Sequence, residues 1–486
     1  MKILVVGASG YIGRHLVPAL VEQGHQVRAC ARRRPEMEAV FEPQLKDGSV
    51  ELCPMDLLHP IEVTQVCEQI DIAYYLVHSM QAGADFAERD LRAARIFGRE
   101  AEKAGLKQII YLGALTPENT QSTHLKSRAE TGEALRGFTT PVTELRAPII
   151  VGAGSVPFEA IRDMVNHLPA MVLPSAVKNT SAPIALDNLL HYLLEVQQRP
   201  ECYQQIYDVA GPERMSYLEQ IKRFAWATDK RFKALPLPFI TIGMVRLGMP
   251  LFSSAPKGVI KALLGGLKDN IPANDAPIRE LIPQTLLTYD QAVEKALEDE
   301  RDAPAPLNWF QGNMAFREGW PNAAFYGDSL IVSHESALPA APIWQVLSKI
   351  GGKQRFFFMS WVWAIREWID FCVGGPGREL GRDTEDRFIV GERMDSWEIL
   401  RVDESREDEK SVLLGFRMKG PGSGNLEFRL EPLPGGGTRI KMIAYWHPAG
   451  FWGQLYWYAM MRPHTFLFWG MLRRISTLAV KAHLRG

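Results

Sequence analysis

The sequence predicts an α/β domain with a doubly wound parallel sheet, followed by an α+β domain with an antiparallel sheet. The chain begins with a short apolar run that breaks into glycines at positions 7, 10 and 13. Strand-like and helix-like segments then alternate as far as VTELRAPIIVG, which is typical of βαβ units. Composition then changes, because eleven of the twelve tryptophans lie at or beyond Trp309.

The glycine pattern after the first strand predicts a phosphate-binding turn. The strand ILVV is followed by the spacing G-x-x-G-x-x-G and then by a helix-compatible pattern. Glycines let the chain turn sharply and bring its amides close to a pyrophosphate at a helix N-terminus. We therefore expect a dinucleotide to contact the turn, through Gly7, Ser9, Gly10, Tyr11, Ile12 and Gly13.

The end of the second strand bears on which dinucleotide is bound. It carries Arg32, Arg33 and Arg34, and no acidic residue occurs between Glu22 and Glu36. A carboxylate at this place would bind the ribose 2′-hydroxyl of NAD, whereas a guanidinium pairs with the 2′-phosphate of NADP. The sequence thus favours NADP(H) over NAD(H), with Arg32 and Arg33 as the contacts and one of the three arginines simply solvated.

The fourth strand ends in LVHS, where the carboxyl end of the sheet should approach the ribose and nicotinamide. We expect His78 and Ser79 to contact the cofactor there. A hydrogen-bonded core histidine is the alternative role for His78.

The first 300 or so residues resemble the short-chain dehydrogenase/reductase superfamily. Within it they are most similar to the atypical NmrA-like and nucleoside-diphosphate-sugar-epimerase-like group. The resemblance is carried by VVGASGYIG, VRACARR, YYLVHSM, IIYLGAL, HLKSRAE and PIALDNLL. It implies a Rossmann fold and an NAD(P) cofactor. It leaves the activity open, because the group includes reductases, epimerase relatives and proteins that bind NADP without turning it over.

The resemblance also suggests a role for the residues after the third strand. The related group places an acidic residue and a backbone amide beside the adenine, which here correspond to Asp56 and Leu57. The alternative for Asp56 is an N-cap of the helix that starts near Pro60.

The catalytic pair of the superfamily is missing. Its classical members use Tyr-x-x-x-Lys on a helix, and none of the thirteen tyrosines here is followed by lysine four residues later. In HLKSRAETGEALR, His124 takes the place of the tyrosine by spacing and Arg128 that of the lysine. His124 is the candidate proton donor and Arg128 the candidate ribose or substrate anchor. A charged surface helix without a catalytic role is the alternative.

The domain limits follow from composition. We expect a dinucleotide-binding domain over residues 1–300, with a substrate-side extension over about 152–296 and a second domain over 308–486. The stretch ALEDERDAPAPLNW predicts a linker around 297–307. Within the extension, LPLPFITIGMVRLGMPLF is unusually apolar. A buried helical hairpin is the expected form, and a membrane-touching lid is the alternative.

The sequence of the second domain predicts a helix-grip arrangement, in which a curved antiparallel sheet wraps a long terminal helix. Five segments read as strands: DRFIVGERM, WEILRV, KSVLLGFRM, NLEFRLEP and TRIKMIAYW. The pattern is similar to START/polyketide-cyclase-like proteins. Phe451–Ile475 is apolar nearly all round, and Arg462 and His464 favour burial against the sheet over membrane insertion. A pocket here would suit a flat hydrophobic molecule.

The composition limits the kinds of binding partner and compartment that we expect. Basic and acidic residues number 55 and 56, so no global field recruits nucleic acid. The five scattered cysteines show no metal-ligand spacing and fit a reducing, cytoplasmic compartment. No uncharged apolar stretch reaches the ~18 residues of a spanning helix. We expect a small hydrophobic partner, no metal and no transmembrane segment, and we leave open a peripheral membrane contact and the oligomeric state.

Three functions are compatible with these features. The leading hypothesis is an NADPH-dependent oxidoreductase acting on a hydrophobic carbonyl or quinone. The second is a non-enzymatic NADP-binding sensor or adaptor, with a lipid or partner held by the second domain. The third is chemistry on a nucleoside-diphosphate sugar.

Overall fold

The computed structural model describes residues 1–32, 34–78, 85–117, 119–120, 122–168, 170–253, 255, 257–302, 324–351, 355–372, 374–375, 387–404, 406–416 and 420–484. The chain forms two compact units, Met1–Phe310 and Gln311–Gly486. The domain limits 1–300 and 308–486 stay a prediction, since residues 303–323 lie outside the described part.

The first half of unit 1 alternates strands and helices. Its elements are β1 (Lys2–Val6), α1 (Tyr11–Glu22), β2 (Gln26–Ala31), α2 (Arg34–Val40), α3 (Glu42–Lys46), β3 (Val50–Pro54), α4 (Pro60–Cys67), β4 (Ile72–Tyr75), α5 (Phe86–Ala104), β5 (Gln108–Ala114), α6 (Thr123–Arg136) and β6 (Val142–Ala147).

The second half of unit 1 has shorter elements. They are β7 (Ile150–Val151), α7 (Val156–His167), β8 (Ala170–Pro174), β9 (Thr180–Ser181), β10 (Ile184–Ala185), α8 (Leu186–Glu195), β11 (Ile206–Asp208), β12 (Met215–Ser216), α9 (Tyr217–Ala227), β13 (Lys233–Leu237), α10 (Ile242–Gly248), α11 (Lys257–Gly266), α12 (Ala276–Leu281) and α13 (Tyr289–Asp302). Single 3₁₀ turns lie at Ser175–Lys178, Pro200–Cys202 and Met249–Leu251.

The main sheet of unit 1 confirms the doubly wound parallel fold. Among the described residues it has seven parallel strands in the order β11-β6-β5-β4-β1-β2-β3. Ile3 pairs with Val27 on one side and with Ile72 on the other. The strand order therefore reverses between β1 and β4, and ligands of such sheets bind at this reversal, beyond the carboxyl ends of the strands.

Burial explains why the first strand carries no alternation. Residues Ile3 to Val6 are each at most 1% exposed. They belong alternately to two apolar clusters, one on each face of the sheet. A strand covered on both faces needs apolar side chains at every position, as the run ILVV shows.

The apolar segment in the extension does not form the expected buried hairpin. It folds as β13, the short helix α10 and a 3₁₀ turn, with β13 paired to β8. Phe239 and Leu247 are 68% and 83% exposed. The prediction was wrong because hydropathy alone does not say which apolar side chains find a packing partner.

The linker prediction was also wrong over its first part. Residues 297–302 complete helix α13, whose Glu300 forms an ion pair with the buried Arg162 of α7. This buried pair holds the end of α13 against the extension, so the charged sequence belongs to a packed helix. The remainder of the predicted linker, 303–307, lies outside the described residues.

Unit 2 contains β14 (Asp328–Ser336), α14 (Ala340–Leu347), α15 (Ser360–Cys372), β15 (Arg393–Met394), β16 (Trp397–Asp403), β17 (Lys410–Phe416), β18 (Gly422–Pro432), β19 (Thr438–Pro448) and α16 (Gly450–His483). Over the described ranges its antiparallel sheet has the order β14-β19-β18-β17-β16-β15. The antiparallel sheet expected from the tryptophan-rich half is thereby confirmed.

The terminal helix α16 packs against α14, β14 and β19. Its residues Leu467, Met471 and Ile475 enter the core of unit 2. The segment DRFIVGERM forms a shorter strand than predicted, because among its described residues the ladder with β16 comprises Arg393 and Met394 at its end. The part of the chain that the structure describes holds no helix long and apolar enough to cross a membrane.

Candidate functional site

The glycine turn after β1 is drawn tightly against the neighbouring strand. The N–H groups of Gly7 and Ala8 both donate to the carbonyl oxygen of Cys30, at 2.9 and 3.0 Å, and Gly10 N–H donates to Gly7 O at 3.0 Å. Gly7 has a φ of +91°, which side-chain-bearing residues rarely adopt. The turn therefore requires glycine at its first position.

The third glycine allows helix α1 to approach the turn. A Cβ on Gly13 would lie 2.5 Å from Gly7 O and 2.6 Å from the Cα of Ala8. The N-cap residue of α1, Gly10, makes no side-chain cap. The first amides of α1 next to this turn fit a pyrophosphate, so the residues of the turn suit a dinucleotide cofactor.

The other loop residues lie around this helix start. Ser9 accepts a hydrogen bond from the Arg14 guanidinium through its carbonyl oxygen, at 3.1 Å. Ile12 packs in the core. Tyr11 projects toward the extension, since a Cβ on Gly152 would lie within contact distance of its hydroxyl. Whether each residue contacts the cofactor stays a prediction.

The arginines at the end of β2 have different surroundings. Arg32 is exposed directly after the strand. Arg34 pairs with Glu38 one helical turn later, with 2.6 Å between Nε and Oε1. Arg33 lies outside the described residues. The ion pair marks Arg34 as the arginine that is engaged elsewhere and leaves Arg32 as the described candidate for a 2′-phosphate.

Asp56 does not cap helix α4. The N-cap residue is His59, without a side-chain cap, and Asp56 Oδ1 instead accepts from Leu58 N–H at 3.0 Å. Asp56 N–H donates to Glu62 Oε2 at 2.7 Å. The capping alternative is wrong, because the helix begins too late for this carboxylate to reach its first amides. Leu57 is buried beside Asp56.

Three polar side chains form a hydrogen-bonded chain at the end of β4. Asp90 Oδ2 lies 2.7 Å from His78 Nδ1, and His78 Nε2 lies 2.7 Å from His124 Nδ1. The side chains of Asp90 and His78 are 4% and 9% exposed. Asp90 comes from α5 and His124 from α6, whose start is fixed by Ser122 accepting from Leu125 N–H. Ser79 lies outside the described residues.

Burial disfavours the charged form of both imidazoles. It lowers the pKa of His78, although Asp90 opposes the shift. Burial, with the neighbouring His78 and Arg128, lowers the pKa of His124 to about 3. With Asp90 ionised, His78 Nδ1–H donates to it, and His78 Nε2 then accepts from His124 Nδ1–H. The remaining ring nitrogen of His124, Nε2, carries a lone pair that accepts a proton.

Arg128 is engaged in the interior. Its guanidinium donates to the carbonyl oxygen of Leu112 and lies 5.2 Å from the centre of the Tyr111 ring. Tyr111 in turn donates to the carbonyl oxygen of Arg128 at 2.8 Å. These contacts tie α6 to β5, and a role as ribose or substrate anchor stays a prediction.

His124 also lines a cavity of about 350 Å³ in unit 1. The cavity lies beyond the ends of β5 and β6 and is walled by α7, α10 and α11. Its lining is mostly aliphatic, and includes Leu115, Ile149, Ile161, Met164, Val245, Met249 and Leu263. Tyr11 reaches the same cavity from the glycine turn. A candidate proton carrier and a candidate cofactor contact thus share one apolar chamber.

Sequence reasoning missed Asp90. The signal was present, because Asp90 shares the buried face of α5 with Ala93, Ala94 and Phe97, at spacings of three, four and seven residues. An acid on an apolar helix face costs free energy unless it is paired, so its position calls for a partner. The partner, His78, could be assigned only from the tertiary structure.

Unit 2 holds a smaller cavity, of about 50 Å³. The guanidinium of Arg366 lies 5.6 Å from the ring centres of both Trp363 and Trp397 in its wall. The buried amide of Asn425, without a hydrogen-bond partner among the described residues, and the ring of His464 also line it. Burial lowers the pKa of His464 to about 4.

Two family models match the chain. Residues 3–133 match the NAD dependent epimerase/dehydratase family, and residues 320–471 match a protein family of unknown function, DUF2867. The first match covers the glycine turn, the strand end with the arginines and all three members of the Asp90–His78–His124 chain.

Among characterised proteins, a ceramide reductase of Caulobacter vibrioides is 26% identical over 154 residues, which are 31% of this chain and 47% of that protein. The matched segment thus spans about half of the length of that relative. A UDP-glucose 4-epimerase of Vibrio cholerae is 20% identical over 309 residues, which are 59% of this chain and 92% of the epimerase.

Two solved structures share the fold of unit 1. The triphenylmethane reductase of Citrobacter sp. is 16% identical, with a TM-score of 0.51, and covers 61% of this chain and 100% of its own. The NADPH-dependent quinone oxidoreductase of Escherichia coli, complexed with NADPH, is 16% identical, with a TM-score of 0.50 and the same coverage. Unit 1 therefore has an NAD(P)-binding fold of the epimerase/reductase type.

Proposed function

We propose that unit 1 is an NADP(H)-dependent oxidoreductase of the atypical short-chain, NmrA-like type, acting on a hydrophobic carbonyl compound or quinone. The observation that carries this proposal is the Asp90–His78–His124 chain, which ends at the wall of the apolar cavity. A structural ion pair would not need to extend through two imidazoles to a cavity wall.

The chain is suited to moving one proton. When bound, NADPH supplies a hydride to the carbonyl carbon. The substrate oxygen, as it gains negative charge, takes a proton from Nε2 of a protonated His124. Asp90 offsets the positive charge that the two imidazoles share while they hold this proton. After transfer, His124 Nδ1–H donates to His78 Nε2 and Nε2 of His124 again carries a lone pair.

The cofactor preference is supported by the basic end of β2. Arg32 is exposed there and is not offset by an acidic residue between Glu22 and Glu36. A guanidinium at this position suits a 2′-phosphate and leaves the 2′-hydroxyl of NAD without its usual carboxylate partner.

The substrate class is supported by the cavity lining. Aliphatic walls stabilise a buried apolar molecule and offer few hydrogen-bond partners to the hydroxyls of a sugar. They therefore disfavour the hypothesis that the substrate is a nucleoside-diphosphate sugar. The partial similarity to a protein named ceramide reductase agrees with reduction chemistry.

For unit 2 we propose a helix-grip domain of the START-like type that holds a small hydrophobic molecule. The support is the long helix α16 packed on the antiparallel sheet, together with the aromatic cavity around Arg366. The five cysteines, all unpaired, support a reducing compartment such as the cytoplasm.

The test is NADPH consumption with a panel of long-chain aldehydes, ketones and quinones. We expect turnover of at least one apolar carbonyl substrate, and a decrease of about 10²-fold or more in His124→Ala. His25→Ala is the matched control, because His25 follows α1 at the opposite edge of the sheet from the cavity. Tight NADPH binding without consumption across the panel would instead favour the non-enzymatic sensor.

A further inference from the structure

Six apolar side chains around α10 face the exterior of unit 1 without cover. We call them the lid patch; its members are Val172, Leu235, Phe239, Met244, Leu247 and Leu251, which are 45%, 56%, 68%, 55%, 83% and 41% exposed. Isolated exposed apolar residues are ordinary, but a contiguous group marks an interaction surface.

The members are brought together by strand pairing and helix packing. Leu235 of β13 stands opposite Val172 of β8 in the parallel ladder, and both are exposed. Helix α10, which carries Met244 and Leu247, contacts β8 and so lies beside this strand pair. The patch is therefore a property of the folded extension and not of one sequence segment.

Helix α10 and its 3₁₀ continuation separate this patch from the cavity. Val245 and Met249 point inward, are 8% and 5% exposed, and line the cavity that His124 also lines. Met244 and Leu247, their neighbours in the chain, point outward. The wall is thus one helix thick, apolar on both sides.

The chain segment between Asp229 and Asp269, which carries five of the six members of the patch, is basic. Residues 230–268 contain seven lysines and arginines and no acidic residue, although the whole chain has a net charge of −1. Lys233 and Arg246 are exposed within the patch itself, two residues from Leu235 and one from Leu247. Apolar side chains flanked by cations are complementary to an anionic lipid surface, where the cations reach the phosphates.

A second copy of the chain fits this surface less well. A two-fold contact would place the patch against itself and bring the cationic residues of both copies together. No acidic residue within 230–268 could offset them.

We propose that the lid patch docks unit 1 onto an anionic lipid bilayer and that the apolar substrate enters the cavity beneath α10 from that bilayer. Docking is inferred from the patch alone. Substrate entry from the bilayer rests on the proposed function and adds where the substrate comes from.

The test for docking is sedimentation of the full chain with vesicles, without cofactor or substrate. We expect binding to vesicles of phosphatidylglycerol with phosphatidylcholine, and little to phosphatidylcholine alone. Leu247→Glu should weaken binding about tenfold or more. The double change Lys233→Gln and Arg246→Gln should weaken it by a similar factor and flatten its salt dependence. Ile61→Glu is the matched control, since Ile61 of α4 is 74% exposed outside the patch.

Three results would overturn docking through this surface. One is absence of binding to anionic vesicles. Another is full binding by Leu247→Glu with loss in Trp452→Glu, which would assign the contact to the exposed side of α16. The third is a dimer, seen by light scattering, that Leu247→Glu dissociates.

Substrate entry is tested separately. Leu247→Glu should leave NADPH oxidation by a water-soluble quinone unchanged and slow it when a long-chain quinone is embedded in the vesicles. Equal rates for the unaltered chain and Leu247→Glu with the embedded substrate would overturn the entry route while leaving the docking result intact. Failure of all quinones with the unaltered chain would count against the proposed function and not against docking.

Discussion

His78 Nε2 lies 2.7 Å from His124 Nδ1, and the same His78 ring reaches Asp90 through its other nitrogen. The first pair is separated by 46 residues and joins the end of a strand to the first turn of a helix. In the proposed function, this contact is the route for proton transfer on a helix that lacks the usual tyrosine and lysine. The proposed chemistry can therefore be tested at Asp90, which does not line the cavity.

Replacing Asp90 should abolish the proton relay without altering the cavity. In Asp90→Asn an amide N–H facing His78 Nδ1 would reverse both hydrogen bonds, so His124 Nε2 would carry hydrogen and lose its accepting lone pair. We expect kcat to fall about 10²-fold or more, with the Kd for NADP changed less than about twofold. Glu88→Gln, an exposed acid on the same helix, is the control. Equal losses in nucleotide affinity and kcat would indicate a structural role for Asp90 instead.

The rate of carbonyl reduction should fall as pH rises. Because burial lowers the pKa of His124 to about 3, this imidazole is deprotonated over the ordinary assay range. The fraction that holds the extra proton then drops about tenfold per pH unit, and kcat for ketone reduction should follow it. The measurement is a pH profile under saturating NADPH, compared with His124→Ala, in which the slope should disappear. A flat profile in the unaltered protein would mean that the proton comes from elsewhere.

Arg32 should determine the preference for NADP over NAD. Loss of a charge-assisted contact to the 2′-phosphate is worth roughly 1.5–3 kcal/mol, so Arg32→Ala should weaken NADP binding by about 10- to 100-fold. NAD binding should not change, because NAD lacks that phosphate. Calorimetric titration with both nucleotides checks this. Arg34→Ala serves as control since Arg34 pairs with Glu38, and a larger effect of Arg34 than of Arg32 would contradict the assignment.

Gly13→Ala should damage the nucleotide site. The added Cβ would lie 2.5 Å from Gly7 O, which forces α1 away from the turn that it must touch. We expect NADP affinity to fall about tenfold or more, with a destabilisation of roughly 1–3 kcal/mol in denaturant unfolding. Gly137→Ala should be close to neutral, because its nearest contact would be an ordinary 3.4 Å from Ala134 O. Unchanged NADP affinity in Gly13→Ala would exclude this turn as the phosphate site.

Much of unit 1 could be predicted because its signals are local. The turn at Gly7 to Gly13, the buried strand before it and the arginines after β2 are each a short run of neighbouring residues. The residue types in each run indicate the backbone conformation or the charge at that place. The antiparallel sheet of unit 2 was predicted for the same reason, from short apolar runs separated by turns. The structure of the apolar segment 235–252 was not predicted, because the burial of an apolar side chain depends on a partner that its own sequence does not reveal.

The sequence by itself determined that a dinucleotide fold begins at the first strand, that its nucleotide end is basic and that the usual tyrosine and lysine are absent. Only the tertiary structure decided which polar side chains meet at that helix. Asp90, His78 and His124 belong to separate elements, and parallel strands with helical crossovers bring such residues together at one edge of the sheet. The structure likewise decided that α10 faces the cavity on one side and the exterior on the other, because both surfaces of that helix are created by packing.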